Sequence, residues 1–327
     1  MGDVEIKLIL RAYDHLVPLF LGDVPTPGVK LHLDHRSPLT VNFPDDVQVA
    51  EVSFNRYVVG YARGDDSLIG LPAFVLRGFR HRNFFVRSDS RLSSLAELRG
   101  RRVGTNSWPD TGTMWARAAM RDAGVQVGDV NWVMGTLDAG TPNKPPSPND
   151  ARPPKGAEYL SGDDNLLAAL RDGRIDALTT AFAPDEVFRP GGWIRRLLLN
   201  YRELEKDYYR RTGVYPGFHI VAARREFAER HPQALITIYD ALRRAFDLWV
   251  VKAKRFAEAS PWAMDELEVQ LAGDFAGDTP PFGMESPAHQ RMVAAICEEQ
   301  YAQKLVERAA NPSDLFARFD AIRAAGR

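Results

Sequence analysis

An alternation that runs the length of the chain constrains its fold more than any other feature. Short segments with apolar residues at every second position are followed repeatedly by segments with apolar residues at helical spacing. A two-residue period puts apolar side chains on one face of a strand, and a 3.6-residue period does so on a helix. Val4, Ile6, Leu8 and Leu10 alternate with Asp3, Glu5, Lys7 and Ile9, which predicts a strand almost at once. The same reading predicts strands at residues 29–35, 67–76, 101–106, 130–133, 176–180 and 218–223. Residues 47–61 begin as a strand at 48–52 and turn helical, and a strand segment follows at 83–87.

Helices are expected over 92–100, capped and stopped by Gly100, and over 113–122. In the latter, Met114, Trp115, Ala118 and Ala119 share one face while Arg117 and Arg121 take the other. Leu166, Leu167, Leu170 and Ile175 bury the next helical segment, three amphipathic helices fill 225–271, and 286–305 is the last strong helix. Strands alternating with helices predict an α/β protein with mostly parallel sheets. Ligands of such sheets bind beyond the carboxyl ends of the strands. The loops singled out by that rule are 11–14, 53–57, 77–82, 106–113 and 181–185.

Composition narrows the functional classes. Among 327 residues, 42 Lys and Arg face 43 Asp and Glu, so the basic excess of a nucleic-acid binder is missing. No apolar run is long enough to span a membrane. The single Cys297 rules out an internal disulfide framework and a cysteine-held metal cluster. The first ten residues lack the pattern of a leader peptide, which gives a cytoplasmic expectation. Residues 140–157 hold six prolines and read as an extended surface insertion. Phosphate-loop, dinucleotide, zinc-protease and nucleophile-elbow signatures are all missing.

Several phrases, in this order, resemble one family. They are Arg11-Ala-Tyr-Asp14, Ala50-Glu-Val-Ser-Phe-Asn-Arg-Tyr57, Phe79-Arg-His-Arg-Asn-Phe-Phe-Val-Arg87 and Leu98-Arg-Gly-Arg-Arg-Val-Gly104. Later come Met114-Trp-Ala-Arg117, Asp207-Tyr-Tyr-Arg-Arg-Thr-Gly-Val-Tyr-Pro216 with His219, and Pro281-Phe-Gly-Met-Glu285. Together they resemble the 4,5-dihydroxyphthalate decarboxylases, an enzyme branch of the type 2 periplasmic-binding-protein superfamily. The resemblance implies two α/β lobes, a ligand cleft between them and two hinge crossings. Lobe one is expected at residues 1–90 and 220–327, and lobe two at 91–219 with the proline-rich insertion. Two segments depart from the family pattern: Thr105-Asn-Ser-Trp-Pro-Asp-Thr-Gly-Thr113 and Phe54-Asn-Arg56.

The implied chemistry is loss of CO₂ from a hydroxylated aromatic ring, with a proton arriving at the carbon that carried the carboxylate. It asks for cationic anchors, a general acid and a dry site. Arg11, Arg56, Arg77, Arg80 and Arg82 fall in or beside the selected loops. Each could pair a carboxylate through two parallel hydrogen bonds or simply form a salt bridge. Ser53, Asn106, Thr111 and Thr113 are further substrate-contact candidates, the two threonines through the free amides of a helix N-terminus or as its caps. Among seven histidines, His81 and His219 are candidate acids, with structural hydrogen bonding as the alternative. Asp14 and Glu51 could act as bases, or Glu51 could partner an arginine. Tyr57 and Tyr215 could donate to substrate or pack in the core, and Trp108 offers a ring face.

His35, His81 and His219 would be the nitrogen ligands of a divalent metal if they converged; no cofactor is otherwise required. The alternative to an enzyme is a solute-binding protein for an aromatic or small carboxylate, since fold does not settle function. A homodimer is the expected assembly because closed dimers are common.

Overall fold

The computed structural model describes residues 2–35, 41–140, 143, 151–259, 267, 269–270, 273–275 and 280–326. The chain divides into two compact units. Met1–Arg77, Gly213–Cys297 and Ala310–Arg327 form the first; Gly78–Thr212 and Glu298–Ala309 form the second. Sequence reasoning had set the divisions near 90 and 220 and kept residues 298–309 in the first lobe.

In the first unit, β1 (Val4–Ile9), β2 (Val29–Asp34), β3 (Val49–Ser53) and β4 (Leu68–Arg77) join a late strand, β11 (Gly217–Arg224). The order across the sheet is β2-β1-β3-β11-β4. β1 runs parallel to β2 and β3, whereas β11 is antiparallel to both its neighbours. The expectation of mostly parallel sheets therefore needs correction. Periodicity identifies a strand but carries no information on direction, and β11 enters between β3 and β4 from the opposite end.

Behind this sheet lies α7 (Pro232–Ala259), where Leu235, Ile238, Leu242 and Ala245 form a buried stripe with Leu8, Leu10 and Val221. Fully burying a side chain of this size contributes roughly 1.5–3 kcal/mol. Helices α1 (Val17–Phe20), α2 (Phe54–Ala62), α6 (Arg225–Arg230), α8 (Pro287–Ala302) and α9 (Ala317–Ala325) complete the helices named for this unit, with the last residues of α8 in the second. Of the three helices expected over 225–271, the described residues hold a short one and one of 28 residues, with 267 and 269–270 also helical, while residues 260–266, 268 and 271 lie outside the described set. The final helix α9 was not anticipated.

The second unit carries β5 (Phe84–Arg87), β6 (Arg102–Thr105), β7 (Asn131–Met134), β8 (Glu158–Tyr159), β9 (Ala177–Thr179) and β10 (Ile194–Arg196). Their order is β10-β5-β9-β6-β7-β8, parallel around β6 but antiparallel where β5 meets β9 and β10. Helices α3 (Thr111–Asp122), α4 (Leu166–Arg171) and α5 (Tyr201–Thr212) flank it. Phe85, Val133, Leu166, Leu170, Ile175 and Leu178 make its core.

The helix expected over 92–100 is a single 3-10 turn at Ala96–Leu98. Glu97 accepts from the amides of Ser93 and Ser94, but the N-cap residue Leu95 makes no side-chain cap bond and only one turn forms. Most of the proline-rich insertion, residues 141–142 and 144–150, lies outside the described residues; 151–157 form no helix or strand. Among the described residues no helix is long and apolar enough to cross a membrane.

Tyr57 shows how a substrate candidate is claimed by the fold. Its buried hydroxyl donates to the Leu315 carbonyl at 2.7 Å and accepts the Gly70 amide at 3.1 Å. A Cβ on Gly70 would lie 2.7 Å from the Tyr57 ring, so glycine allows the approach. Tyr57→Phe strands two buried backbone groups. It should lower unfolding stability by about 1–3 kcal/mol in chemical denaturation, while leaving ligand binding by the folded protein unchanged.

Candidate functional site

A polar cluster of the first unit forms around Glu51, which has no exposed surface. β11 pairs with β3 so that His219 lies opposite Ser53 and Val221 opposite Glu51. Opposed residues share a face, and so do residues two apart, which makes Glu51 and His219 diagonal neighbours on one face. His219 Nδ1 is 2.6 Å from Glu51 Oε1. The Tyr13 hydroxyl donates to the same oxygen at 2.6 Å and lies 3.4 Å from His219 Nδ1. The Arg11 amide donates to Oε2 at 2.9 Å, from the segment just after β1.

Burial alone would push the Glu51 carboxyl up. The bonds from His219, Tyr13 and the Arg11 amide outweigh it and hold the carboxyl below its usual range. Burial and the Glu51 charge push the Tyr13 phenol well above its ordinary value, so Tyr13 remains a donor. With Glu51 ionised and acceptor-only, His219 carries its proton on Nδ1 and leaves Nε2 outside the pair. The His219 side chain keeps 16% of its surface exposed, against none for Glu51. The arrangement can orient an imidazole and let it exchange a proton with a ligand.

Arg77 ends β4 opposite Gly217. Its guanidinium lies 4.9 Å from the centre of the Tyr215 ring and 3.4 Å from His289 Nε2. His15 stacks on Tyr13 with ring centres 5.5 Å apart. Both Arg77 and Glu51 act on His15 electrostatically, which puts all of them around one neighbourhood of this unit. Sequence reasoning missed Tyr13, His15 and His289 as members. Tyr13 lies in the first selected loop, His15 follows it directly, and His289 follows the Pro281–Glu285 phrase.

Other first-unit candidates have different surroundings. Asp14 is exposed at the start of a 3-10 turn, and His35 is exposed after β2. Ser53 is the N-cap of α2 and accepts the Arg56 amide at 3.4 Å. The half-buried Arg11 contributes its amide to Glu51 and its side chain acts on Tyr13.

In the second unit, Arg82 makes a two-pronged pair with the fully buried Glu205 at 2.7 and 3.1 Å, so its charge is already answered by a carboxylate. His81 is buried beside Phe79 and Tyr208, its Nδ1 without a hydrogen-bond partner among the described residues. Burial pushes it down to about 4. At neutral pH it is a buried, uncharged histidine. Trp108 is buried and its face is covered by the Arg117 guanidinium, 3.8 Å from the ring centre.

Arg117, expected on the polar face of its helix, is fully buried and donates to Gln303 and to the Trp108 carbonyl. The helix α3 begins two residues earlier than expected. Asp110 is its N-cap, its side chain making no cap bond to the helix, and Thr111 and Thr113 lie buried in the first turn. Arg80 donates to the Ala181 carbonyl at 2.9 Å and passes so close to Gly112 that a Cβ there would lie 2.6 Å from Nη2. Asn106 is exposed at the end of β6.

Among the described residues no three His, Cys, Asp or Glu gather as a metal-ligand set. His35, His81 and His219 accordingly form no such set, with His35 exposed and His219 committed to Glu51.

The fold is that of the periplasmic-binding-protein class. The alkanesulfonate-binding protein SsuA from Xanthomonas axonopodis, solved bound to MOPS, matches with a TM-score of 0.53 at 15% identity, over 96% of this chain and 98% of that one. The desulfurization enzyme DSZB matches with a TM-score of 0.52 at 16% identity, over 99% of each chain. Such identities speak to the fold alone. In sequence, the chain is 27% identical to 4,5-dihydroxyphthalate decarboxylase of Comamonas testosteroni over 97% of both proteins. It is 30% identical to the Pseudomonas putida protein of that name over 140 residues, 41% of this chain and 54% of the relative. The resemblance carried by the motifs thus extends along nearly the whole chain. No protein-family model matches it.

Two measurements check these assignments. Arg82→Ala leaves the Glu205 carboxylate buried without its partner and should cost roughly 3 kcal/mol of stability, read by denaturant unfolding. The second concerns pH. Burial pushes His15, His81 and His289 down to about 4 from 6.5. Between those values the unfolded chain binds protons that the folded chain refuses, so stability falls as pH drops through that window. Each histidine contributes up to about 1.4 kcal/mol per pH unit. Glu51, with its lowered carboxyl, adds loss in the same direction at lower pH. Unfolding midpoints at pH 7, 6 and 5 should decline steadily, with a shallower decline in His81→Phe.

Proposed function

We propose that this protein is a non-oxidative decarboxylase of a hydroxylated aromatic carboxylate of the 4,5-dihydroxyphthalate type. The observation that carries the reading is the Glu51–His219 pair, with 2.6 Å between Oε1 and Nδ1 and Tyr13 locking the same oxygen. The names of the full-length and partial relatives support the substrate class.

In this reading Arg77 and Arg11 hold the carboxylates of the substrate. His219 delivers a proton from Nε2 to the ring carbon that bears the departing carboxylate. The carbon–carbon bond then breaks, its electron pair returns to the ring, and CO₂ leaves. One proton replaces one CO₂, so no oxidant or reductant is consumed. A ring hydroxyl para to the reacting carbon stabilises the dearomatised intermediate, and the substrate supplies its own electron source without a resident cofactor. Glu51 fixes the tautomer and orientation of His219 and faces the positive charge the imidazole carries while it holds the proton. Tyr13 and the Arg11 amide keep Glu51 ionised and in place.

The test is CO₂ release and ring absorbance with a panel of hydroxylated benzoates and phthalates, with and without divalent metal. His219→Ala should lower turnover on the order of 10²–10⁴-fold. Glu51→Gln, which keeps shape but loses charge, should lose about 10²-fold or more. Wild-type turnover in a folded His219→Ala protein would remove His219 from the chemistry. Thermal stabilisation by these ligands without CO₂ release from wild-type protein would move the assignment to a solute-binding protein.

A further inference from the structure

The Pro281–Glu285 phrase and His289 take no part in the proton transfer, yet the phrase is built against the middle of β4 and His289 meets Arg77 at its end. The Phe74 amide donates to the Pro281 carbonyl at 2.8 Å, the Gly283 amide donates to the Pro72 carbonyl at 2.8 Å, and Phe282 bridges Ala73. This segment thereby runs alongside β4 like an added strand. Gly283 then takes φ +83°, a left-handed conformation that favours glycine, just ahead of α8.

His289 sits in the first turn of α8 with 2% of its surface exposed. Its Nδ1 is 2.8 Å from the Gly283 carbonyl. A carbonyl only accepts, so Nδ1 carries the proton and the neutral ring offers a lone pair at Nε2. That nitrogen is 3.4 Å from Arg77 Nη1, and the Tyr215 ring lies 4.9 Å from the same guanidinium. Burial, and then the Arg77 charge, push His289 down to about 4, which keeps Nε2 an acceptor at neutral pH. A planar guanidinium pairs well with a carboxylate only when its fork is held in orientation.

We propose that His289 is a positioning residue for Arg77, aiming its guanidinium as the carboxylate anchor of the site described above. The inference rests on the decarboxylase reading for its substrate and adds to it the device that orients the anchor. The Pro281–Gly283 segment supplies the carbonyl that sets the tautomer, and His289 passes that order on to Arg77.

The experiment uses phthalate, a dicarboxylate without the ring hydroxyls that decarboxylation requires, as a binding probe in calorimetry. KM and kcat for CO₂ release from 4,5-dihydroxyphthalate are measured in parallel. His289→Asn retains a donor for Gly283 but no acceptor that reaches Arg77, whereas His289→Gln places an amide oxygen near the former Nε2. The Asn variant should weaken phthalate binding and raise KM by roughly tenfold, with kcat changed less than about threefold. The Gln variant should return both toward wild type. Arg77→Lys, which keeps charge but loses the fork, should weaken binding similarly without touching His289.

Circular dichroism and unfolding midpoints confirm that each variant is folded. Wild-type phthalate affinity in folded His289→Asn overturns the proposal, as does equal loss in the Asn and Gln variants, which would mark a merely structural histidine. Absence of phthalate binding by wild-type protein overturns it as well. If wild-type protein releases CO₂ and no variant alters KM, the positioning role falls and the decarboxylase reading stands. If the binding pattern holds but wild-type protein releases no CO₂, the positioning role stands and the decarboxylase reading falls.

Discussion

A carboxylate with no exposed surface organises the first unit: Glu51, in the middle of its sheet. An isolated charge in that position would cost several kcal/mol, so its surroundings must answer it. The answers come from segments far apart in the chain: the Arg11 amide and Tyr13 hydroxyl just after β1, and the His219 imidazole on β11. They can meet only because β3 lies between β1 and β11 in the sheet. The strand order and the proton-handling pair are therefore one structural fact. A change that disturbs either should be felt in the other.

The arginines make the complementary point. Five were equivalent as carboxylate anchors on sequence grounds, yet their environments separate them. Arg82 is already paired with a buried carboxylate, and Arg80 lies against the backbone of Gly112 and donates to Ala181. The amide of Arg56 serves the Ser53 cap. Arg77 rests between a phenol ring and an imidazole nitrogen beside the Glu51 neighbourhood. Arg117, expected on the polar face of its helix, is fully buried and covers the face of Trp108 that had been offered for a ligand. Guanidinium chemistry is the same in each case; desolvation and the nearest acceptor decide what it does.

Much of the architecture was legible in the chain. Residues 4–9, 29–34, 102–105 and 218–223 are strands as their alternation indicated, and α3 and α4 follow helical spacing. The motif phrases also pointed to the Comamonas testosteroni relative that matches over nearly the full length. Strand direction was not legible, because alternation is unchanged when a strand is reversed, and β11 and β5 run against the expected sense. Neither was the 3-10 turn at Ala96–Leu98, whose N-cap Leu95 offers no side-chain bond to the free amides of a longer helix.

Within the site, Glu51 and His219 were named from the chain as separate candidates for base and acid. Residue type and position near strand ends were enough for that. Their pairing through Nδ1, the recruitment of Tyr13, the retirement of His81 to the core and the contact of His289 with Arg77 were decided only by tertiary structure. The physical reason is common to all four. Protonation, hydrogen bonding and charge depend on distances of a few ångströms and on exclusion of water, and these are set by which distant segments the sheet brings side by side. The amino-acid sequence determined which chemical groups were available; the fold determined which of them met.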